Sequence, residues 1–275
     1  GILYQSITQF LGFKNYGDEY KVMGLASYGN PVFLNEFENL IHYNNNSYFS
    51  LNLDYFSHHT NPEFTYNFPD GIPKFPNLYS EKMMQLFGEE RRPGDKIEKK
   101  HFDIASSLQK CFEHVVFSIL NKLYSDTNTE NLCLAGGCAL NSKLNGLIRD
   151  KTPFKNIFIQ PNAGDAGGAM GSALNFLKQN KSIKNSSFKN ELNKCYLGSE
   201  YTNDFIEEHL IKKNSLVKNY TFQKLSDTDL YIDIAKRISN NQVIGWFKGR
   251  CEWGPRALGN RSILADARNP EIKDI

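Results

Sequence analysis

No stretch of the sequence approaches the ~20 apolar residues that cross a bilayer, and none of its 275 residues reads as a signal peptide. An excess of either charge is also missing: 32 Lys and Arg stand against 30 Asp and Glu, a net of +2. The electrostatic footprint of a nucleic-acid or membrane-surface partner is therefore lacking, and neither is expected. Cysteine is sparse, odd in number and without a CxxC pair (Cys111, Cys133, Cys138, Cys195, Cys251). That pattern excludes a disulfide framework, makes thiolate zinc improbable, and fits reduced thiols in a cytoplasm. The six histidines (42, 58, 59, 101, 114, 209) include no i, i+4 pair. His58 and His59 are adjacent and point to opposite faces of an extended chain, with no third ligand at a useful spacing. GxSxG and GxxxxGK[ST] are both absent, which removes the serine-elbow and P-loop readings.

What is present begins with 40% hydrophobic content over 275 residues, enough for one large core or one core and part of a second. The chain is organised around Asn131 to Leu174, NLCLAGGCALNSKLNGLIRDKTPFKNIFIQPNAGDAGGAMGSAL. It reads as two strand-turn-helix units: Leu132 to Ala135 into a helix from about Ala139, and Ile157 to Gln160 into a helix from about Ala166. The connection is long enough for a helix, so the strands are predicted parallel, with both glycine turns at the carboxyl edge where open α/β sheets bind ligands. Gly136 and Gly137 carry no Cβ, so a ligand can come close to backbone N–H groups, as a phosphate cradle requires. Asn141 stands one turn further on, placed for a ribose or phosphate. In the second turn Asp165 is the one carboxylate among Gly164, Gly167 and Gly168. It reads either as a helix cap or as a ligand for a cation.

Residues 1 to 13 place Ile2, Leu3, Ile7, Phe10 and Leu11 on one helical face that closes at Gly12. In NYGDEYKVMGLASYGNP, Asp18 is a candidate N-cap for a helix from Glu19 to Ala26. Gly24 inside that helix costs about 1 kcal/mol relative to Ala, which predicts a close approach there by backbone or ligand. Lys21 reads either as a solvated helix lysine or, given Gly24, as a site residue. Residues 32 to 102, with an NNNS turn, many aromatics and the run GEERRPGDKIEKK, read as an insertion over the sheet. Asp103 to Tyr124 is a long helix with Ile104, Leu108, Cys111, Val115, Ile119 and Leu123 inward, and Glu113 and His114 at its surface or boundary.

Residues 178 to 194 read as a polar linker between a first domain, 1 to 177, and a second, 195 to 275. The second is predicted to hold helices at Asp204 to Ile211 and Asp227 to Asn240 and a strand at Val243 to Phe247. The strand feeds KGRCEWGPRALGNRSILADAR, where Lys248, Arg250, Arg256, Arg261 and Arg268 surround a Gly-Pro turn. Guanidinium groups in such a loop suit bidentate recognition of phosphate or carboxylate; pairing with Glu252 or Asp266 to hold the loop together is the equal alternative.

Three segments, EYKVMGLASYG, AGGCALNSKLNG with QPNAGDAGGAMGSAL, and GWFKGRCEWGPRALGNRSILADARNP, together resemble the O-carbamoyltransferases that act on nodulation factors and on cephem and aminoglycoside antibiotics. The resemblance implies the carboxyl part of an actin-like (sugar-kinase superfamily) α/β domain, followed by the start of a domain resembling threonylcarbamoyl-AMP synthase. It implies ATP as cosubstrate, carbamoyl phosphate as donor, carbamoyl-adenylate as intermediate and a small-molecule or sugar hydroxyl as acceptor. Carried onto this sequence, Gly136, Gly137, Asn141 and Gly164 belong to the nucleotide site with Glu19 and Lys21 near it. Asp165 is a ligand of iron(II), and Arg250, Arg256 and Arg261 hold carbamoyl phosphate, with Asp165, Arg250 and Arg256 catalytic. A two-histidine, one-carboxylate iron set needs histidines that this sequence does not space suitably, so they are expected upstream in a longer parent, and the chain alone is expected to be inactive. A sugar-kinase-like phosphotransferase and a non-catalytic ATP-binding module are the rival readings.

Overall fold

One helix does most of the organising. α5, Lys99–Thr127, runs 29 residues, roughly 43 Å at 1.5 Å per residue. It starts a turn before the expected Asp103 because the Glu98 N–H donates to His101 Nδ1 (2.9 Å), and burial lowers the pKa of His101, which favours that neutral acceptor. It ends where Asn128 turns left-handed (φ 48°). The computed structural model describes residues 1–44, 47–60, 68, 71, 75–179, 195–214 and 221–274. Within these, the chain is mixed α/β and divides into two compact units, Gly1–Gln160 and Pro161–Ile275.

In the first unit α1 (Ile2–Phe10), α2 (Glu19–Leu25), α3 (Leu34–Leu40) and the antiparallel hairpin β1 (Ile41–Asn44) and β2 (Ser47–Leu51) gather along α5, and α4 (Lys82–Phe87) joins the same core. Their apolar faces meet in a core that includes Ile7, Phe10, Leu11, Phe37, Leu40, Met83, Phe87, Ile104 and Leu108. Residues expected to lie over the sheet as an insertion are therefore part of this core: Phe37, Phe56, Tyr79, Met83 and Phe87 are buried in it. In the charged run GEERRPGDKIEKK, Arg91 is buried. Its guanidinium donates to Leu11 O (2.7 Å) and Asp95 O (3.0 and 2.8 Å) and lies over the Phe13 ring. The middle of the NNNS turn, Asn45 and Asn46, lies outside the described residues, as do Phe64, Tyr66 and residues 180–194 of the expected linker.

The carboxyl half of α5 carries a second, smaller cluster in which Leu120 meets Leu132, Ile148 and Phe154. It seats β3 (Asn131–Leu134) and β4 (Asn156–Ile159), which pair in parallel as expected, Leu132 beside Ile157 and Leu134 beside Ile159. α6, Ser142–Lys151, connects them. Residues of period two share a face: Leu132 is buried while Cys133 is exposed and Phe158 is 44% exposed.

The second unit contains α7 (Gly168–Gln179), α8 (Asn203–Asn214), α9 (Asp227–Ser239) and an antiparallel pair, β5 (Ile244–Phe247) with β6 (Arg261–Leu264). β6 occupies part of the arginine-rich stretch that read as loop. Ser226 caps α9 by accepting from Asp229 N.

The tight glycine of GLASYG is Gly29, not Gly24. A Cβ on Gly29 would stand 2.0 Å from the carbonyl oxygen of Phe102 in α5, whereas nothing lies within 4 Å of one on Gly24. Gly29→Ala is accordingly expected to destabilise the chain by about 1–3 kcal/mol through overpacking. Gly24→Ala is expected to stabilise it by up to about 1 kcal/mol through helix propensity. Denaturant midpoints of the two variants check both signs.

Candidate functional site

The turn after β3 is built by glycine. Gly136 has φ +96°, a conformation that costs an L side chain dearly, and Gly137–Leu140 follows as a single 3-10 turn before α6. The helix expected from about Ala139 thus begins at Ser142, because Asn141 is its N-cap: Asn141 Oδ1 accepts from Leu144 N (2.9 Å). Gly136 and Gly137 are exposed, and among the described residues no atom lies within 4 Å of where a Cβ would stand on either. The turn is open to a ligand from that side.

Asn141 itself is buried. Besides capping α6, its Oδ1 accepts from Gln109 Nε2 (3.2 Å) and its Nδ2 donates to Gln109 Oε1 (2.8 Å). The amide placed at a ribose or phosphate by sequence is thus occupied on both sides by a residue of α5. Asn145, one turn on, donates from Nδ2 to Ala139 O (2.7 Å) and pins the turn from the other flank. Its Oδ1 is buried with no hydrogen-bond partner among the described residues.

α2 abuts this region, for Ser142 Oγ lies 3.8 Å from Met23 Sδ. Glu19 opens α2, and burial, the largest influence on it, raises its pKa. Lys21 pairs with Asp18 (2.7 Å), and that hydrogen bond raises the lysine's pKa. Asp18 sits at the N-cap position without making the capping bond; it accepts from Asn15 N (3.3 Å) instead.

Gly164, Asp165 and the arginines belong to the second unit. Asp165 opens a one-turn 3-10 helix after Gly164 and is exposed; a water-facing carboxylate has no desolvation cost demanding a cation. Asn162 is the buried pivot of this segment. A Cβ on Gly167 would meet Asn162 O at 2.1 Å, and one on Gly254 would meet Pro161 O at 2.3 Å and Asn162 N at 3.0 Å. The Gly-Pro turn that carries Arg256 is therefore packed on the residues just before Gly164. The signal was in the sequence as two glycines, but spacing alone does not pair them.

The loop's charges divide. Arg261 donates to Lys248 O (2.9 Å), Asn260 O (2.9 Å) and Gly249 O (3.0 Å), and its guanidinium carbon lies 3.5 Å from the Phe247 ring centroid. It holds the loop together through carbonyls. Arg250 donates to Gly198 O (3.1 Å) and remains exposed, and Arg256 is half-buried. Asp266 and Arg268 form a bidentate pair (2.6–3.1 Å), which holds the Asp266 carboxyl down to about 2. Glu252 pairs with backbone: one oxygen accepts from Leu258 N (2.9 Å), Asn260 N (2.7 Å) and Arg261 N (2.9 Å). Burial works to raise its pKa, but those N–H bonds outweigh it and hold the group to about 2.

A family model described as the carbamoyltransferase N-terminus matches residues 1–174, and one described as the carbamoyltransferase C-terminus matches residues 235–275. The chain belongs to the carbamoyltransferase family. Its relatives include an uncharacterized protein of Synechocystis, 38% identical over all of this chain and 42% of that protein. Nodulation protein NolNO of Sinorhizobium fredii is 34% identical over all of this chain and 36% of that protein. Nodulation protein NolO of Bradyrhizobium diazoefficiens is 34% identical over all of this chain and 44% of that protein. The carbamoyltransferase chain thus spans about two-fifths of the length of these relatives. Among its described residues no group of three or more His, Cys, Asp and Glu is placed to hold a metal ion, and no helix is long and apolar enough to cross a membrane.

Glu252 titrates below its ordinary 4.5 and Asp266 below 3.8 when folded. Their stabilisation is complete above those ordinary values and is lost as pH falls towards about 2. Both tryptophans, Trp246 and Trp253, lie in this unit, so their fluorescence is expected to report acid unfolding between about pH 4.5 and 2. Glu252→Gln is expected to be less stable at neutral pH and to show a flatter acid dependence.

Proposed function

We propose that this chain carries the nucleotide-holding and donor-holding parts of an ATP-dependent O-carbamoyltransferase, which passes a carbamoyl group from carbamoyl phosphate, through carbamoyl-adenylate, to a hydroxyl of a small molecule or sugar. The observation that carries the reading is where the two family matches fall: one covers the open Gly136–Gly137 turn, the other the arginine loop. On this reading residues 1–177 are the carboxyl part of an actin-like domain, and residues 195–275 begin a domain like threonylcarbamoyl-AMP synthase.

The parts suit the chemistry unequally. Backbone N–H groups at Gly136 and Gly137, with no side chain in front of them, receive phosphate oxygens. Glu19 and Lys21 would join the site from α2, whose Met23 meets Ser142 beside the turn, and Gly164 would keep the second turn free of side chain. Arg250 and Arg256 bind the phosphate of the donor and offset charge as it develops. Arg261 contributes by fixing the loop, since its donors are spent on carbonyls. A divalent metal such as iron(II) would take Asp165 as one ligand and draw the others from outside these 275 residues, since the described residues hold no group of three or more His, Cys, Asp and Glu placed for it.

Calorimetry with ATP and carbamoyl phosphate, separately and together, tests the reading. Both are expected to bind. Arg256→Ala is expected to weaken carbamoyl phosphate at least tenfold, on the order of 1.5–3 kcal/mol for a charged hydrogen bond. Gly137→Asp, which the open turn accommodates, is expected to abolish ATP binding. ATP binding with no heat from carbamoyl phosphate would contradict the carbamoyl-transfer reading and favour a phosphotransferase.

A further inference from the structure

Beneath the glycine turn, α5 presents a polar stripe where an apolar one would suffice. Gln109 is fully buried and Glu113 is 3% exposed. The Glu113 side chain, expected at a surface or boundary, is thus in the interior. Gln109 Nε2 donates to Glu113 Oε1 (3.0 Å) and to Asn141 Oδ1 (3.2 Å). Gln109 Oε1 accepts from Tyr4 Oη (2.9 Å) and from Asn141 Nδ2 (2.8 Å). Lys143 Nζ, on α6, lies 3.5 Å from the same Glu113 oxygen.

The partners on its two ends set the orientation of the Gln109 amide: the NH2 end faces two oxygens, Glu113 Oε1 and Asn141 Oδ1, and the carbonyl end faces two donors, the Tyr4 hydroxyl and the Asn141 NH2. Reversed, the amide would set its oxygen against the carboxylate and leave buried groups unpaired. With that orientation fixed, the only complementary arrangement for Asn141 is the reciprocal pair observed, which leaves Asn141 Oδ1 aimed at Leu144 N. The residue that closes the glycine turn is thereby locked in one rotamer by partners 32 positions away in the chain.

We propose that Gln109, oriented by Glu113 and Tyr4, is a positioning residue for nucleotide binding: it holds Asn141, and through Asn141 the carboxyl end of the Gly136–Leu140 turn, in the conformation that receives phosphate. This rests on the nucleotide reading of that turn. An apolar residue at 109 would fill the core as well; the amide pair fixes the angle at which the turn leaves the sheet. Preorganisation of this kind appears in affinity, because a loop already ordered loses less freedom on binding.

The test is ATP affinity by calorimetry for the full chain and for Gln109→Met, Tyr4→Phe, Asn141→Ala and the Gln109→Met/Asn141→Ala double variant, with denaturant midpoints alongside. Gln109→Met conserves volume, and Tyr4→Phe keeps the ring that packs edge-on against Phe112. Gln109→Met is expected to weaken ATP about tenfold and Tyr4→Phe about two- to threefold, the range of one or two lost neutral hydrogen bonds. In the Asn141→Ala background, Gln109→Met is expected to change affinity no further. Loss of stability with unchanged affinity, while Gly137→Asp still abolishes ATP binding, would overturn the inference and leave the nucleotide reading intact. Unchanged ATP binding in Gly137→Asp would instead remove the reading and the inference with it. Should Gln109→Met not fold, unchanged affinity in Tyr4→Phe overturns the proposal.

Discussion

Burial of α5 is the constraint on which the first unit depends. Ile104, Ala105, Leu108, Cys111 and Val115 of α5 enter the larger core, and Leu120 leads the smaller cluster under β3 and β4. Helices α1 to α4 and the parallel strands thus share a common support, and the turn after β3 inherits its position from a helix that begins far upstream. At about 25 cal/mol per Å2 of apolar surface removed from water, that shared face outweighs the propensity of any single short element around it. Strands of four residues, such as β3 and β4, would have little stability alone.

The same helix must also satisfy the polar groups it carries inward, and it does so in a way that favours one turn geometry. Asp103 accepts from Asn30 N (2.8 Å), and Ser107 accepts from Phe33 N (3.0 Å), tying the segment after Gly29 to α5. Gln109 and Glu113 do the equivalent for the Asn141 end of the glycine turn. The second unit solves a similar problem differently: Glu252 gathers three backbone N–H groups of the arginine loop on one oxygen. In both places a side chain with exacting hydrogen-bond demands fixes a glycine-containing turn. Gly136 and Gly137, left without neighbours above them, stay open to a ligand.

Much of this was legible in the sequence where the signal is local. Hydrophobic periodicity located α5 and its inward Ile104, Leu108, Cys111 and Val115, and the spacing of Leu132 and Ile157 predicted two parallel strands joined by a helix. Paired glycines marked the open turn. What escaped depends on partners distant in the chain. Gly24 and Gly29 are equally plausible close-packing glycines until Phe102 is seen against the second. Glu113 reads as surface because nothing near it in sequence indicates Gln109's amide or Lys143. Arg261 is indistinguishable in sequence from Arg250, yet it gathers the carbonyls of Lys248, Gly249 and Asn260 within the loop while Arg250 reaches that of Gly198. Residues 32 to 102 lack a single clear period, so their share in the core appears only once Phe37, Met83 and Phe87 are seen beside α1.

The central claim is that a glycine turn fixed by α5 is where this carbamoyltransferase chain receives a nucleotide, and backbone amide shifts during titration with ATP test it most directly. The account predicts the largest shifts at the amides of Gly136 to Ala139, with smaller ones in α2 at Glu19 to Gly24. Saturable ATP binding that leaves those amides unmoved would contradict it.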